Sequence, residues 1–326
     1  MPFVRVRDIE VYNEVHGSRP RVVLISGTGG DLRSNPRRGH GVLESQCEVL
    51  MYDQLGLGRS DKPDVPYTMI DYADDCVALM DAVGWERAHV MGVSFGGMVA
   101  QHIALHHPSR IDRLVLACTS SGGAGGASFD LVSVADRPPD ERMMITLPIM
   151  DSRTDPTTDP LTYAPMFDLI APFLAAPRSN AADPAAERGA RRQLEARAGH
   201  DTWDRLAEIS ADTLLIGGLY DLQAPPDNMR RLADRIPRSR LQFFDGGHLF
   251  LLQDPTSSSG RHCAVGARGR VPRRLSIIVD ARSTDVSQAG SISPGRPQPA
   301  CQNINRPCGP GTAVQVPGRY KRAFQA

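Results

Sequence analysis

The amino-acid sequence predicts an α/β fold in which a mostly parallel sheet is covered by helices on both faces. Apolar runs of strand length alternate with helical patterns over residues 1–120, and the same alternation resumes after residue 210. The apolar runs end in glycine or aspartate, as buried parallel strands do where the chain leaves the sheet. An alternating order of strands and helices is typical of a sheet enclosed between two helical layers.

The elements of the first part follow in a regular order. Phe3–Val6 and Ile9–Val15 are predicted to form an antiparallel pair of strands. A helix is predicted over Ile70–Val83, where apolar side chains recur every three or four residues, and a second helix begins near Met98 and closes at Pro108. Buried strands are predicted at residues 22–25, 49–52, 89–93 and 114–118, which are continuous apolar runs.

The pattern changes over residues 121–210, which open with glycines and are rich in Pro, Asp and Met. Helical patterns at Met166–Leu174 and Ala185–Ala198 predict a mostly helical cap over one end of the sheet. Sheet-type signal returns with strands at residues 214–216 and 241–244 and a helix between them. We therefore predict one core formed by residues 1–120 and 211–255, interrupted by the 121–210 cap.

Residues 256–326 have a different composition. They contain eleven Lys and Arg residues and two acidic residues, a net charge of +9 in a chain whose total charge is zero. Gly, Pro, Ser and Arg dominate, and Tyr320 and Phe324 are the only aromatic residues. Such a segment buries too little apolar surface to offset its conformational entropy, so we predict a disordered tail.

The overall composition excludes several classes of function. With zero net charge and a sequence pI of about 7.1, the chain has no global basic field for nucleic acid or an anionic membrane. No signal-peptide pattern or membrane-length apolar run is present, which predicts a cytoplasmic protein. The six cysteines lack metal-ligand spacing, so neither a disulfide framework nor a metal site is predicted. The oligomeric state is left open.

Ser94 is the predicted nucleophile. It lies in Gly92-Val93-Ser94-Phe95-Gly96, which matches G-x-S-x-G at a point where a strand gives way to a helix. The sharp turn lifts the serine hydroxyl out of the sheet, and the following helix points its N–H groups toward the place where an oxyanion would form. Glycine and serine are also common in ordinary turns, so the motif requires partners.

A base and an acid follow Ser94 in the chain. His248 comes after a strand and two glycines, on a loop at the carboxyl edge of the sheet, whereas His102 and His106 belong to the helix after Ser94. Asp221 follows the preceding strand, and Ser–Asp–His is the chain order of one hydrolase type. Two other acids compete with Asp221 for the orienting role: Asp227 at a helix start and Asp245 at a strand end.

The turn Ser26–Gly30 is predicted to complete an oxyanion hole. One N–H donor would be the backbone of Phe95, and the N–H of Thr28 is the best candidate for the second. The rival interpretation of this turn is a dinucleotide phosphate loop. Leu32 occupies the position where G-x-G-x-x-G requires glycine, so no nucleotide cofactor is predicted.

Taken together, these motifs resemble the α/β-hydrolase fold superfamily, from the N-terminus to about Pro255. The resemblance rests on Gly27-Thr28-Gly29-Gly30, the Ser94 elbow, the Asp221 loop and Gly246-Gly247-His248, whereas Ser26 stands where many members carry histidine. It rests also on Tyr52–Ser60, which is similar to the D-x-x-G-x-G-x-S turn of the family, a structural feature. The residues after Ser94 resemble those of enol-lactonases, small-ester hydrolases and cofactor-free haloperoxidases.

The resemblance implies a hydrolase of small carboxylic esters or lactones that works through an acyl-enzyme and needs no cofactor. C–C bond hydrolases and perhydrolases of the same fold are alternatives, as is a ligand-binding member without catalysis. The family usually ends with an amphipathic helix after the histidine loop, whereas here Asp254-Pro255 leads into Thr-Ser-Ser-Ser-Gly-Arg. A frameshift near codon 255, giving an inactive product, is a further hypothesis.

Overall fold

The structure is a computed structural model that describes residues 2–33, 41–154 and 183–253. Contacts between Cα atoms divide the chain into two units, Met1–Val279 and Asp280–Ala326, and every described residue belongs to the first unit. The predicted helix at Met166–Leu174 and the predicted tail at 256–326 lie outside the described residues.

Eight strands form one sheet in the order β1-β2-β4-β3-β5-β6-β7-β8. β1 pairs antiparallel with β2, and β2 pairs antiparallel with β4, while every other neighbouring pair is parallel. The mostly parallel sheet predicted from the sequence is therefore confirmed. The strands are β1 (Phe3–Val6), β2 (Ile9–His16), β3 (Arg21–Ile25), β4 (Glu48–Tyr52), β5 (Ala88–Val93), β6 (Ile111–Ala117), β7 (Asp212–Gly218) and β8 (Ser239–Phe244).

The central strands are apolar throughout because both of their faces are buried. Along β3, Val23 and Ile25 pack into one hydrophobic cluster, whereas Val22 and Leu24 pack into a second cluster on the other face. Successive side chains of a strand point to opposite sides, so a continuous apolar run fills two cores at once. This is why the sequence shows continuous apolar runs rather than an alternating pattern.

Helices cover the sheet and bring the chain back for each parallel strand. They are α1 (Gly41–Glu44), α2 (Met69–Ala82), α3 (Phe95–His106), α4 (Pro139–Met150), α5 (Pro184–Ala198), α6 (Pro226–Arg235) and α7 (Phe250–Gln253). Thr68 begins α2 with a capping box, since its hydroxyl accepts from Asp71 N–H at 3.1 Å and the Asp71 carboxylate accepts from Thr68 N–H at 3.0 Å. No described helix is long and apolar enough to cross a membrane.

The segment at 149–154, which includes the end of α4, is bound to the loops that follow β7 and β8. Met150 O accepts a hydrogen bond from His248 N–H at 2.5 Å, and Ile149 O accepts one from Leu222 N–H at 2.9 Å. Ser152 N–H donates to Tyr220 O at 2.8 Å. Three segments of chain that are distant in sequence are thereby joined at the carboxyl edge of the sheet.

Candidate active site

Ser94 occupies a strained turn between β5 and α3. Its backbone has φ +54° and ψ −113°, a combination that a residue with a side chain rarely adopts. The neighbouring glycines allow the turn to close, because a Cβ at Gly92 would lie 2.1 Å from Gly96 O, and a Cβ at Gly96 would lie 2.1 Å from Ile25 O. Close packing on both sides therefore holds the serine hydroxyl above the end of β5.

Ser94, His248 and Asp221 form a continuous chain of hydrogen bonds. Ser94 Oγ lies 3.0 Å from His248 Nε2, and His248 Nδ1 lies 2.8 Å from Asp221 Oδ2. Since the carboxylate can only accept, Nδ1 carries the proton and Nε2 is free to accept from the serine hydroxyl. The three residues are 6%, 8% and 1% exposed, so the chain of bonds lies in a mostly dehydrated environment.

The loops after β7 and β8 explain how His248 and Asp221 meet. β7 and β8 are parallel neighbours, so the loops that follow them leave the same edge of the sheet. The second carboxylate oxygen of Asp221 accepts from Ala224 N–H at 2.8 Å, which fixes the orientation of the acid. The two competing acids are paired elsewhere, Asp227 with Arg230 and Asp245 with Arg153.

The turn Ser26–Gly30 lies beside Ser94. A Cβ at Gly27 would lie 3.5 Å from Ser94 Cβ, which places the neighbouring Thr28 backbone next to the serine. Gln54 Nε2 donates to Ser26 O at 3.0 Å and holds the start of the turn. Phe95 is the first residue of α3, so its N–H belongs to the end of the helix that has no internal acceptor.

Two glutamines that the sequence does not single out contact the residues of the site. Gln223 Nε2 lies 2.8 Å from His248 Nε2, the same nitrogen that faces Ser94 Oγ. Gln193 of α5 accepts from Gly29 N–H at 2.7 Å and supports the turn after β3. Gln223 lies two residues beyond Asp221, a spacing that could have pointed to it, whereas nothing in the sequence pairs Gln193 with Gly29.

Cys118 lies close to Asp221 and His248. Its sulfur and one ligand atom each of Asp221 and His248 lie within 4.8 Å of one another, the one set of three potential metal ligands in the described part of the chain. Burial raises the pKa of the Cys118 thiol, which favours the neutral thiol over the thiolate that binds metals. Asp221 and His248 are also hydrogen-bonded to each other. The arrangement therefore suits the chain of hydrogen bonds to Ser94 better than it suits a bound cation.

Two other buried histidines, His102 of α3 and His200 after α5, contact each other. His102 Nε2 and His200 Nδ1 are 3.2 Å apart, and His200 Nε2 donates to Ser120 O at 2.9 Å. Burial lowers the pKa of His102 to about 3 and that of His200 to about 4. Both rings are therefore neutral at physiological pH. Ninety-eight residues separate them in the chain, so no local pattern could have predicted their contact.

Comparison with known proteins assigns the family. The sequence profile described as the alpha/beta hydrolase fold matches residues 20–145. A poly(3-hydroxyalkanoate) depolymerase from Ectopseudomonas oleovorans is 33% identical over 215 residues, which cover 64% of this chain and 71% of the relative. RutD of Azorhizobium caulinodans, named for carbamate hydrolysis, is 29% identical over 261 residues, which cover 78% of this chain and 94% of that protein.

A solved structure agrees with these relatives. The enol-lactonase from Burkholderia xenovorans LB400 superposes with a TM-score of 0.62 and 26% identity, covering 76% of this chain and 93% of the lactonase. The eight-stranded sheet and the strand-to-helix turn at Ser94 are formed by the same residues whose motifs first indicated the fold. The resemblance is confirmed, and the chain belongs to the alpha/beta hydrolase family.

Proposed function

We propose that the protein hydrolyses small carboxylic esters or lactones, with Ser94 as nucleophile, His248 as base and Asp221 as the acid that orients the base. The observation that carries this proposal is the pair of hydrogen bonds of 3.0 and 2.8 Å that links the three side chains in series. A serine hydroxyl is a weak nucleophile by itself, and an adjacent base oriented by a third group is the usual means of activating it.

The geometry supports a two-step reaction. Ser94 Oγ attacks the carbonyl carbon while its proton passes to His248 Nε2, and the carbonyl oxygen takes the negative charge. The backbone N–H groups of Phe95 and Thr28 are the proposed donors to that oxyanion. His248 then returns the proton to the leaving oxygen, which departs and leaves the acyl group on Ser94. Water, deprotonated by His248, releases the acid and restores the serine.

The choice of esters and lactones is also supported by the named relatives. One is named for depolymerising a polyester and another for opening an enol-lactone. The third is named for carbamate hydrolysis, which begins with the same attack on a carbonyl carbon. We propose that a small-molecule substrate binds beneath the 121–210 cap, whose described parts include α4 and α5.

Covalent labelling tests the nucleophile. A fluorophosphonate probe should label the full-length protein, and Ser94→Ala should abolish the labelling. Ser120→Ala is the matched control, because Ser120 is a buried serine after the adjacent strand and bonds to Ser128 rather than to a base. Labelling that persists in Ser94→Ala would overturn the assignment. Labelling without turnover over a panel of esters and lactones would instead indicate another acyl reaction or a binding role.

A further inference from the structure

We propose that Arg197 forms a binding site for a carboxylate above Ser94, so that the preferred substrate carries a carboxylate in addition to the bond that is cleaved. This inference rests on the proposed function, since it assigns the substrate class of the same site. It depends on three observations: the path of α5 across the sheet edge, the lack of a hydrogen-bond partner for Arg197 Nε and Nη2 among the described residues, and the shape of the edge that those two atoms form.

The path of α5 places Arg197 over the end of β5. At one side Gln193 accepts from Gly29 N–H at 2.7 Å, in the turn that follows β3. At the other side His200 Nε2 donates to Ser120 O at 2.9 Å, in the segment that follows β6. β5 lies between β3 and β6 in the sheet, and Ser94 follows β5 directly. The chain between Gln193 and His200 therefore crosses above Ser94.

Arg197 is buried, and no acidic residue in the described part of the chain forms an ion pair with it. The residue is only 7% exposed. Neither Nε nor Nη2 has a hydrogen-bond partner within the ranges that the structure describes. Burial lowers the pKa of Arg197, while the charge of Asp130, an exposed residue, acts in the opposite direction without forming an ion pair. A guanidinium remains charged in proteins, so its burial is costly unless an anion joins it.

The neighbouring arginines of the same helix show the contrast. Arg188 and Arg192 both form ion pairs with the carboxylate of Asp64 near the surface. Nε of each also lacks a hydrogen bond among the described residues, so the ion pair is what distinguishes them from Arg197. Arg197 points away from that side, since it lies four residues beyond Gln193 and shares the face that meets the Ser26–Gly30 turn. The helix thus presents two arginines to a carboxylate of the chain itself and one buried arginine toward the sheet edge.

The unpartnered atoms define the ligand. Nε–H and Nη2–H lie on one edge of the planar guanidinium and point in nearly the same direction, an arrangement that matches the two oxygens of a carboxylate. Two further buried polar atoms near the turn also have no hydrogen-bond partner among residues 2–33, 41–154 and 183–253, namely Gln193 Nε2 and Thr28 Oγ1. They would face the polar atoms of the ester or lactone group itself.

The spacing along the helix gives the scale of the substrate that the proposal requires. Four residues of helix rise by about 6 Å, which is the separation expected between the Gln193 and Arg197 positions. A chain of a few carbon atoms spans that distance. The site therefore fits monoesters of short dicarboxylic acids, or lactones that carry a carboxylate on a short chain, better than neutral esters of the same size.

Two matched esters test the proposal, monoethyl glutarate and ethyl pentanoate, which differ mainly in a terminal carboxylate against a methyl group. The wild-type protein should have the higher kcat/KM for monoethyl glutarate. Arg197→Met should lower that value roughly 10- to 100-fold, the effect of losing charge-assisted hydrogen bonds, while the value for ethyl pentanoate stays nearly unchanged. Arg197→Lys should recover part of the loss, and Arg192→Met is the control that should behave as wild type.

The outcomes separate this inference from the proposed function. Equal losses for both esters in Arg197→Met would mark the arginine as structural and overturn the inference, as would a wild-type protein that hydrolyses both esters equally well. If neither ester is hydrolysed and the fluorophosphonate does not label Ser94, the proposed function fails instead. Should Arg197→Met fail to fold, inhibition of the wild-type protein decides: glutarate should compete at least tenfold more strongly than neutral glutaramide, and equal inhibition would contradict the carboxylate site.

Discussion

Two buried histidine sites lie near the same edge of the sheet, and they differ in what each ring faces. His248 has a carboxylate on one nitrogen and a serine hydroxyl on the other, at 2.8 and 3.0 Å. His102 and His200 face each other and a backbone carbonyl, and burial lowers the pKa of both. Burial alone thus yields a neutral, structural histidine, whereas a buried carboxylate stabilises the positive charge that a base must carry during catalysis.

The largest test of this contrast is removal of the carboxylate from His248. Asp221→Asn should lower kcat by about 10⁴-fold, because the amide no longer fixes the proton on Nδ1 and no longer stabilises the imidazolium. The measurement is kcat for an ester that the wild-type protein hydrolyses. His200→Asn is the comparison, since it alters a histidine that lacks a carboxylate and should lower stability while kcat changes little. Similar kcat losses in both variants would remove the distinction.

The pH dependence of stability offers a second test. The pKa values of His102 and His200, about 3 and about 4, lie below the unfolded value of about 6.5, so the unfolded chain binds more protons as the pH falls below 6.5. Burial raises the pKa of Asp75 to about 6, so this carboxyl group takes up its proton in the folded protein first. Its protonation therefore stabilises the fold as the pH falls and offsets part of the loss. The net expectation is a loss of about 2 kcal/mol in the free energy of unfolding from pH 7 to pH 5.

Denaturant titrations at both pH values measure this loss. Asp75→Asn serves as the control, because it removes the opposing carboxyl group and should make the decrease with falling pH steeper. The loss is fully absent above the unfolded histidine pKa and grows as the pH approaches the folded values. A stability that stays constant between pH 7 and pH 5 would show that the histidine pair is not buried as described.

The smallest expected effect concerns Gln223. Its amide donates to the neutral His248 Nε2 at 2.8 Å, the nitrogen that must also accept from Ser94 Oγ. Because this bond competes with the serine hydroxyl for the one lone pair of Nε2, Gln223→Leu should raise kcat/KM by roughly 2- to 10-fold. Gln223→Met, which keeps the length of the side chain, should give the same increase. An unchanged kcat/KM in both variants would mean that the amide does not bind the ring in solution.

The parts of the site that the sequence predicts are those that short motifs encode. The Ser94 turn, the Asp221 loop and the His248 loop each follow a buried strand, and parallel strands bring such loops to one edge of the sheet. Their distances support the predicted roles, which the variants described above test. The division into a 1–120 and 211–255 core and a 121–210 cap likewise stays a prediction.

The contacts that the sequence could not predict join residues far apart in the chain. Gln193 meets Gly29 across 164 residues, and His102 meets His200 across 98. Neither contact has a local pattern, since each depends on how a cap helix lies over the sheet rather than on periodicity or turn chemistry. The burial of Arg197 could not be predicted for the same reason. An arginine in a charged helix is usually solvated, and only the packing of the helix over the sheet buries this one.

The attachment of residues 149–154 to the loops of Asp221 and His248 has a consequence for how the protein fails on heating. His248 is bound through its own backbone to Met150, and Leu222, next to the acid, is bound to Ile149. Local opening of such a segment requires at most the free energy of global unfolding, and commonly less. Activity should then vanish at a temperature where the sheet is still folded, so that the working range of the enzyme is limited by one local attachment rather than by global unfolding.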